Sequence, residues 1–185
     1  EKIKAILPVQ EFSESEFVVM VTRAGVIKKT ALSEFSNVRT AGVIAIVTDE
    51  GDELVGARVT NGSNHLFLCS KEGMSIRFPE TDVRPMGRAT RGVIGMSLDE
   101  GDRVVAMEVL ANEAGAAPTF ELLTITENGY GKRTPLQDYR KTSRGVKGVI
   151  NMKTTNKVGK VVGILSVKED SELMIITKQG QIIRI

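Results

Sequence analysis

A pattern of about 50 residues recurs along this chain, and a repeat of that length restricts the fold more than any other feature. Phe17-Val18-Val19-Met20-Val21-Thr22 is followed by Arg23-Ala24-Gly25 and then Val26-Ile27-Lys28-Lys29. The same order returns as His65-Leu66-Phe67-Leu68-Cys69-Ser70, Lys71-Glu72-Gly73, Met74-Ser75-Ile76-Arg77-Phe78. It returns again as Leu122-Leu123-Thr124-Ile125-Thr126, Glu127-Asn128-Gly129, Tyr130-Gly131-Lys132-Arg133. A fourth copy begins with Leu173-Met174-Ile175-Ile176-Thr177, Lys178-Gln179-Gly180, Gln181-Ile182-Ile183-Arg184. Each copy reads as an apolar strand, a turn closed by glycine, and a second strand. The glycine supplies the positive φ that a tight hairpin requires.

The first three copies carry a second half. It runs through Arg39-Thr40-Ala41-Gly42-Val43-Ile44, Arg91-Gly92-Val93-Ile94-Gly95 and Lys147-Gly148-Val149-Ile150. Acidic turns follow in two copies, Asp49-Glu50-Gly51-Asp52 and Asp99-Glu100-Gly101-Asp102. Last strands are expected over Glu53 to Val59, Arg103 to Val109 and Lys160 to Val167. Four short strands per unit predict an all-β, propeller-like array of four-stranded blades. No helical period competes, and Ala31 to Phe35 allows one helical turn at most. The expected units are 17–64, 65–119 and 120–171, with partial units 1–16 and 172–185, in a single fragment of one domain. Lys2 to Val9 reads as the last strand of a preceding unit, and the whole is expected to form an arc. A 4% aromatic content without tryptophan leaves Val, Ile and Leu to fill the core, which suits strands.

The net charge is only +2, so the distribution of charge matters more than its sum. Between the second and third strands each unit is basic: Lys28, Lys29 and Arg39 in the first, Arg77, Arg84, Arg88 and Arg91 in the second. The third unit has Lys132, Arg133, Arg140, Lys141, Arg144 and Lys147 against Asp138 alone. Equivalent positions of successive blades fall on one side, so these stretches are expected to line one rim and the acidic turns another. A basic stripe attracts a polyanion by releasing condensed counterions. Gly42, Gly87, Gly92, Gly145 and Gly148 are expected to let the backbone approach and offer N–H groups to phosphates.

These residues resemble the C-terminal domain of the bacterial DNA gyrase A protein. The resemblance rests on Ala5-Ile6-Leu7-Pro8-Val9, Gly25 to Thr30, Arg39 to Gly42 and Asp49 to Gly56. Its most specific stretches are Asn128-Gly129-Tyr130-Gly131-Lys132-Arg133-Thr134 and Ser143-Arg144-Gly145-Val146-Lys147-Gly148-Val149-Ile150. It implies a β-pinwheel whose neighbouring blades exchange a strand, and whose basic outer rim binds and bends duplex DNA without sequence specificity. It also implies service to a type IIA topoisomerase that supercoils DNA. The partners would be the N-terminal core of the gyrase A protein and the ATP-hydrolysing gyrase B protein, in the bacterial cytoplasm. The segment itself would have no catalytic residue and no cofactor; the cleaving tyrosine of such proteins lies elsewhere, and Tyr130 and Tyr139 are not it. The family's seven-residue basic, glycine-rich box has no intact copy here. Arg88-Ala89-Thr90-Arg91-Gly92 and Ser143 to Gly148 are degenerate versions. That leaves the paralogous chain of topoisomerase IV open, and a protein-binding propeller is the reading from another class.

Other chemistry finds little support. His65 is the single histidine, at a strand start, and reads as structural or solvent-facing. Cys69 lies in an apolar run and reads as a buried, inert thiol, compatible with a reducing cytoplasm. The acidic turns lack the ligand spacing of a calcium loop. The glycine-rich stretches lack the Gly-Lys-Ser/Thr ending of a phosphate loop. No apolar run approaches the roughly 20 residues of a membrane helix.

Overall fold

The computed structural model describes residues 3–37, 39–112 and 120–185. Thirteen strands make up the described part. They are β1 Phe17–Thr22, β2 Val26–Ala31, β3 Leu54–Thr60, β4 His65–Ser70, β5 Met74–Pro79, β6 Val93–Ile94 and β7 Val104–Leu110. There follow β8 Glu121–Thr126, β9 Gly131–Pro135, β10 Val149–Ile150, β11 Val161–Val167, β12 Met174–Ile176 and β13 Ile182–Arg184. Single 3-10 turns at Leu32–Phe35, Glu80–Asp82 and Leu136–Asp138 follow the second strand of each of the three units. The first of these is the one helical turn that the sequence allowed. All hairpin pairings are antiparallel, with Val19 opposite Lys29 in the first and Leu66 opposite Phe78 in the second.

The sheets cut across the sequence repeat. The first is ordered β3-β1-β2-β6 and the second β10-β5-β4-β7. Thus β6, from the second unit, closes the first blade, and β10, from the third, closes the second. The third sheet holds β11-β8-β9, and β12 pairs with β13. This is the exchange of strands that the family resemblance implied. The hairpin glycines make it possible. Gly25 has φ +81°, and a Cβ there would lie 2.6 Å from the Met96 carbonyl oxygen. Gly73 has φ +86°, with Met152 O at 2.0 Å from its would-be Cβ. The bare backbone lets one carbonyl, Gly25 O, accept from Gly95 N and Met96 N at 2.8 and 3.1 Å. Gly73 O likewise accepts from Asn151 N and Met152 N at 2.9 and 3.2 Å.

The core lies between blades. Strand β4 is buried along its whole length, so its alternation separates two apolar faces rather than core from water. Leu66 and Leu68 pack with Val19, Val21, Ile27, Val104 and Met107 toward the first blade. Phe67 and Cys69 pack with Leu122, Leu136, Tyr139 and Val161 toward the third. Phe67 and Tyr139 meet edge to face at 4.9 Å between ring centroids. Burial pushes the Cys69 thiol up to about 12.

The expected leading strand forms no ladder: residues 3–9 join none of the described sheets, although Ala5, Leu7 and Val9 pack on Val18, Met20, Leu32 and Ala57. Lys2 and residues 113–119, the end of the expected second unit, lie outside the described residues. Strands β3, β7 and β11 abut one another, with β7 in the middle, and define the inner side of the array. The opposite edges, at β6 and β10, are the outer side.

Candidate nucleic-acid interface

Strand exchange decides where the basic loops run. In the second and third units each leaves the second strand of its own blade, makes a 3-10 turn, and crosses to the outer edge of the preceding blade. Residues 80–92 connect β5 to β6 in this way, and residues 136–148 connect β9 to β10. The crossing is pinned at equivalent points, by Met86 N donating to Lys29 O and Thr142 N donating to Arg77 O, both at 2.8 Å. Arg84 and Arg140 sit two residues before these pins, and both are exposed. Exposed cations of the loops are Arg39, Arg91, Lys141 and Lys147. Lys132 and Arg133 are exposed in β9 at the places of Lys28 and Lys29, and Lys132 Nζ donates to Asn151 O at 3.5 Å as Lys28 does to Ala45 O.

Three expected contacts are corrected. Lys28, Lys29 and Arg77 are buried, at 0%, 3% and 8% exposure, because they lie in strands covered on both faces rather than in the loops. Lys29 Nζ donates to Glu80 O at 2.9 Å and lies 5.1 Å from the Phe17 ring centroid. Arg77 Nη1 donates to Leu136 O at 3.1 Å. Lys29 and Arg77 occupy the same place in successive units, and each grips the first carbonyl of the next blade's 3-10 turn. Lys28 Nζ donates to Ala45 O at 2.7 Å and to Arg88 O. Burial, with the like charge of Arg88, pushes the Lys28 ammonium down to about 8. Burial also lowers Lys29, against the opposing pull of Glu80, and lowers Arg77. These cations join blades and do not reach a ligand on the rim.

Arg144 is half-buried and also bridges blades, through Nε to Asp82 O and Nη1 to Ile94 O, each at 3.0 Å. Its equivalent Arg88 lines a groove of about 800 Å³ with Arg39, Gly42 and Ile44. One guanidinium nitrogen of Arg88 is buried there without a hydrogen-bond partner among the described residues.

The expected separation into a basic and an acidic rim is corrected as well. Asp49 of the first unit pairs with Arg91 of the second, and Asp99 of the second pairs with Lys147 of the third, at 2.6 Å in the latter. Exchange brings the acidic turn of one unit beside the basic loop of the next. The pairs are exposed and contribute little to stability, but they partly neutralise Arg91 and Lys147. Arg133 similarly meets Glu121 at 2.7 Å. Among the described residues, Arg39, Arg84, Arg88, Lys132, Arg140 and Lys141 form no ion pair with a carboxylate. Asp52 and Asp102 are occupied by the fold: each Oδ1 accepts two backbone N–H groups, from Ala24 and Glu53 and from Glu72 and Arg103.

Of the glycines expected at phosphates, Gly92, Gly145 and Gly148 serve the exchange, while Gly42 and Gly87 have open space beside them. Gly92 and Gly148 have φ +99° and +87°, and their would-be Cβ atoms meet Ile27 O at 2.6 Å and Ser75 O at 2.0 Å. Gly145 N donates to Gly95 O at 2.7 Å, and Gly42 N to Arg39 O at 2.8 Å. His65 is buried, and burial, followed by the charges of Arg77 and Lys141, lowers its pKa.

Asn151 is a residue that sequence reasoning missed. Its side chain is buried in the joint between blades. It donates to Thr124 Oγ1 at 2.8 Å and Cys69 Sγ at 3.5 Å, and accepts from the Tyr139 hydroxyl. The signal was its place: the other units carry Ala45 and Gly95 there.

The DNA gyrase C-terminal domain, beta-propeller family matches residues 16–61, 64–111, 121–168 and 171–185. The DNA gyrase A protein of Helicobacter pylori is 46% identical over 187 residues, covering 100% of this chain and 22% of that protein. Its Escherichia coli counterpart is also 46% identical, covering 100% of this chain and 20% of that protein. The chain thus spans about a fifth of the length of these relatives. A solved gyrase A C-terminal domain superposes with a TM-score of 0.84 at 30% identity, over 97% of this chain and 58% of the other. A solved C-terminal domain of DNA topoisomerase IV gives 0.87 at 25% identity, over 97% and 55%. The match in every repeat and the shared fold lead to one conclusion: this chain belongs to the family of DNA gyrase C-terminal, propeller-like domains.

Proposed function

We propose that the chain binds duplex DNA along its outer edge and bends it over successive blades. The observation that carries this reading is the pair Arg84 and Arg140, exposed at equivalent points of two loops that each straddle a blade boundary. Arg39 and Lys141 extend the same edge. Guanidinium and ammonium groups on a convex edge favour phosphates over bases, and the described residues offer no long helix to enter a major groove. Recognition then rests on charge and on the bendability of the duplex. In the longer protein, the bent DNA would be handed to the N-terminal core of the gyrase A protein, which works with the ATP-hydrolysing gyrase B protein, in the bacterial cytoplasm. The chain supplies a DNA path to that reaction and no reacting group.

The test is a salt-titrated binding assay with linear duplexes of several lengths and scrambled sequences, dye-labelled at both ends. Binding should fall steeply with salt, with a logarithmic slope of about −0.9 per phosphate neutralised. Affinity should rise with length, and the labelled ends should approach one another. Flat salt dependence, or binding with unchanged end-to-end distance, refutes the wrapping mechanism.

A further inference from the structure

Ile44, Ile94 and Ile150 hold the same place in three successive units, each following Gly-Val, and are 63%, 60% and 62% exposed. An isolated exposed isoleucine means little, but one repeated at matching exposure on a single edge marks a surface. At Ile150 the exposure does not come from a missing neighbour, whereas Ile44 joins none of the described sheets. Ile150 pairs with Met74, which packs on the core between the first and second blades, so the adjoining blade is in place. Ile150 stays open because β10 is the outermost strand. Ile94 holds the same position on β6, opposite Val26.

Cations frame each position. Arg144 Nη1 donates to the carbonyl of Ile94 itself, and Ile44 shares its groove with Arg39 and Arg88. Arg91 and Lys147 lie three residues before Ile94 and Ile150. An apolar side chain ringed by phosphate-seeking groups fits the sugar edges of a duplex. There, deoxyribose carbons lie between two phosphate rows, and bending toward the protein brings those rows together.

We infer that Ile44, Ile94 and Ile150 form an apolar row that packs on the deoxyribose surface of the minor groove where the duplex bends over the rim. Apolar wedges in other bent complexes enter between base steps and kink the duplex away from the protein; this row instead lies on the sugars of a duplex bent toward the protein. The row adds affinity that does not depend on salt, because no counterion is released when carbon meets carbon. This inference rests on the DNA-binding reading and extends it from charge to shape.

The experiment replaces all three with threonine, which keeps the β-branch that the edge strands favour and removes the apolar tip. Melting temperature, duplex affinity across a salt series, and end-to-end distance are measured beside the parent chain. The expected result is an unchanged melting temperature, affinity roughly tenfold weaker, the same salt slope, and a smaller bend. Unchanged affinity and bend in a parent that binds DNA overturns the apolar row alone. Failure of the parent to bind duplex sinks the DNA-binding reading beneath it. A lowered salt slope in the variant also overturns the row, since it would mean that phosphate contacts had been disturbed instead. If the triple variant is unstable, the three single variants carry the test, with two- to threefold losses expected from each and no loss at any position overturning the row.

Discussion

Replacing Arg77 by methionine separates a cation that joins blades from one that touches DNA. Methionine keeps most of the apolar stem and removes the guanidinium. The Leu136 carbonyl retains its bond from Tyr139 N at 3.2 Å, so only the second bond, from Arg77 at 3.1 Å, is lost. A hydrogen bond from a charged donor contributes about 1.5–3 kcal/mol. A domain of this size loses about 2–4 °C of melting temperature per kcal/mol, so the expected fall is about 3–12 °C. Lys29→Met should behave alike, because Lys29 grips Glu80 O in the equivalent way. Differential scanning calorimetry gives the melting temperature, and a salt-titrated duplex assay at a temperature where both proteins are folded gives the slope. The Arg77 variant should keep the parental slope, since its charge is sealed at 8% exposure. An unchanged melting temperature combined with a slope reduced by about 0.9 would refute the reasoning and return Arg77 to the DNA surface.

Further outcomes follow from the same geometry. Arg84→Ala with Arg140→Ala should leave the melting temperature within about 2 °C, because exposed charges contribute little, and should reduce the salt slope by roughly 1.8, read by fluorescence anisotropy. Gly73→Ala should destabilise by more than about 3 kcal/mol in denaturant melts, since its Cβ would stand 2.0 Å from Met152 O in a left-handed backbone. Asn151→Ala should cost about 1–3 kcal/mol, because Thr124 and the Tyr139 hydroxyl lose their buried partner, and hydrogen exchange should rise at the joint between the second and third blades. Cys69 should resist a thiol reagent in the native protein and react fully in denaturant, since it is 0% exposed with its thiol held at about 12.

Much of the architecture was legible in the sequence because hairpins are local. The turns Arg23 to Gly25 and Lys71 to Gly73 fix which strands pair next, and the apolar runs beside them fix their length. Phe17–Thr22 and His65–Ser70 appear in the structure at the residues where the pattern put them. The candidate rim was legible only in part. Arg84 and Arg140 stand in loops whose exposure follows from their polarity and glycine content. Lys28, Lys29 and Arg77 carry the same charge but lie in strands with a blade on either side, and charge alone does not distinguish the two settings.

What the chain determined by itself was the repeat, the hairpins and the basic character of the segment between second and third strands. What only the tertiary structure decided was which blade each third strand closes. Val93-Ile94 and Val149-Ile150 are two-residue strands with no local partner, and their place is chosen by the Gly25 and Gly73 carbonyls, each more than a whole repeat earlier. That long-range choice turns the acidic turns toward the basic loops, seals three cations into the joints, and leaves Ile94 and Ile150 on the outer edge. Such contacts join residues far apart in sequence, so the free energy that selects them arises from packing between blades and has no signature in any one repeat.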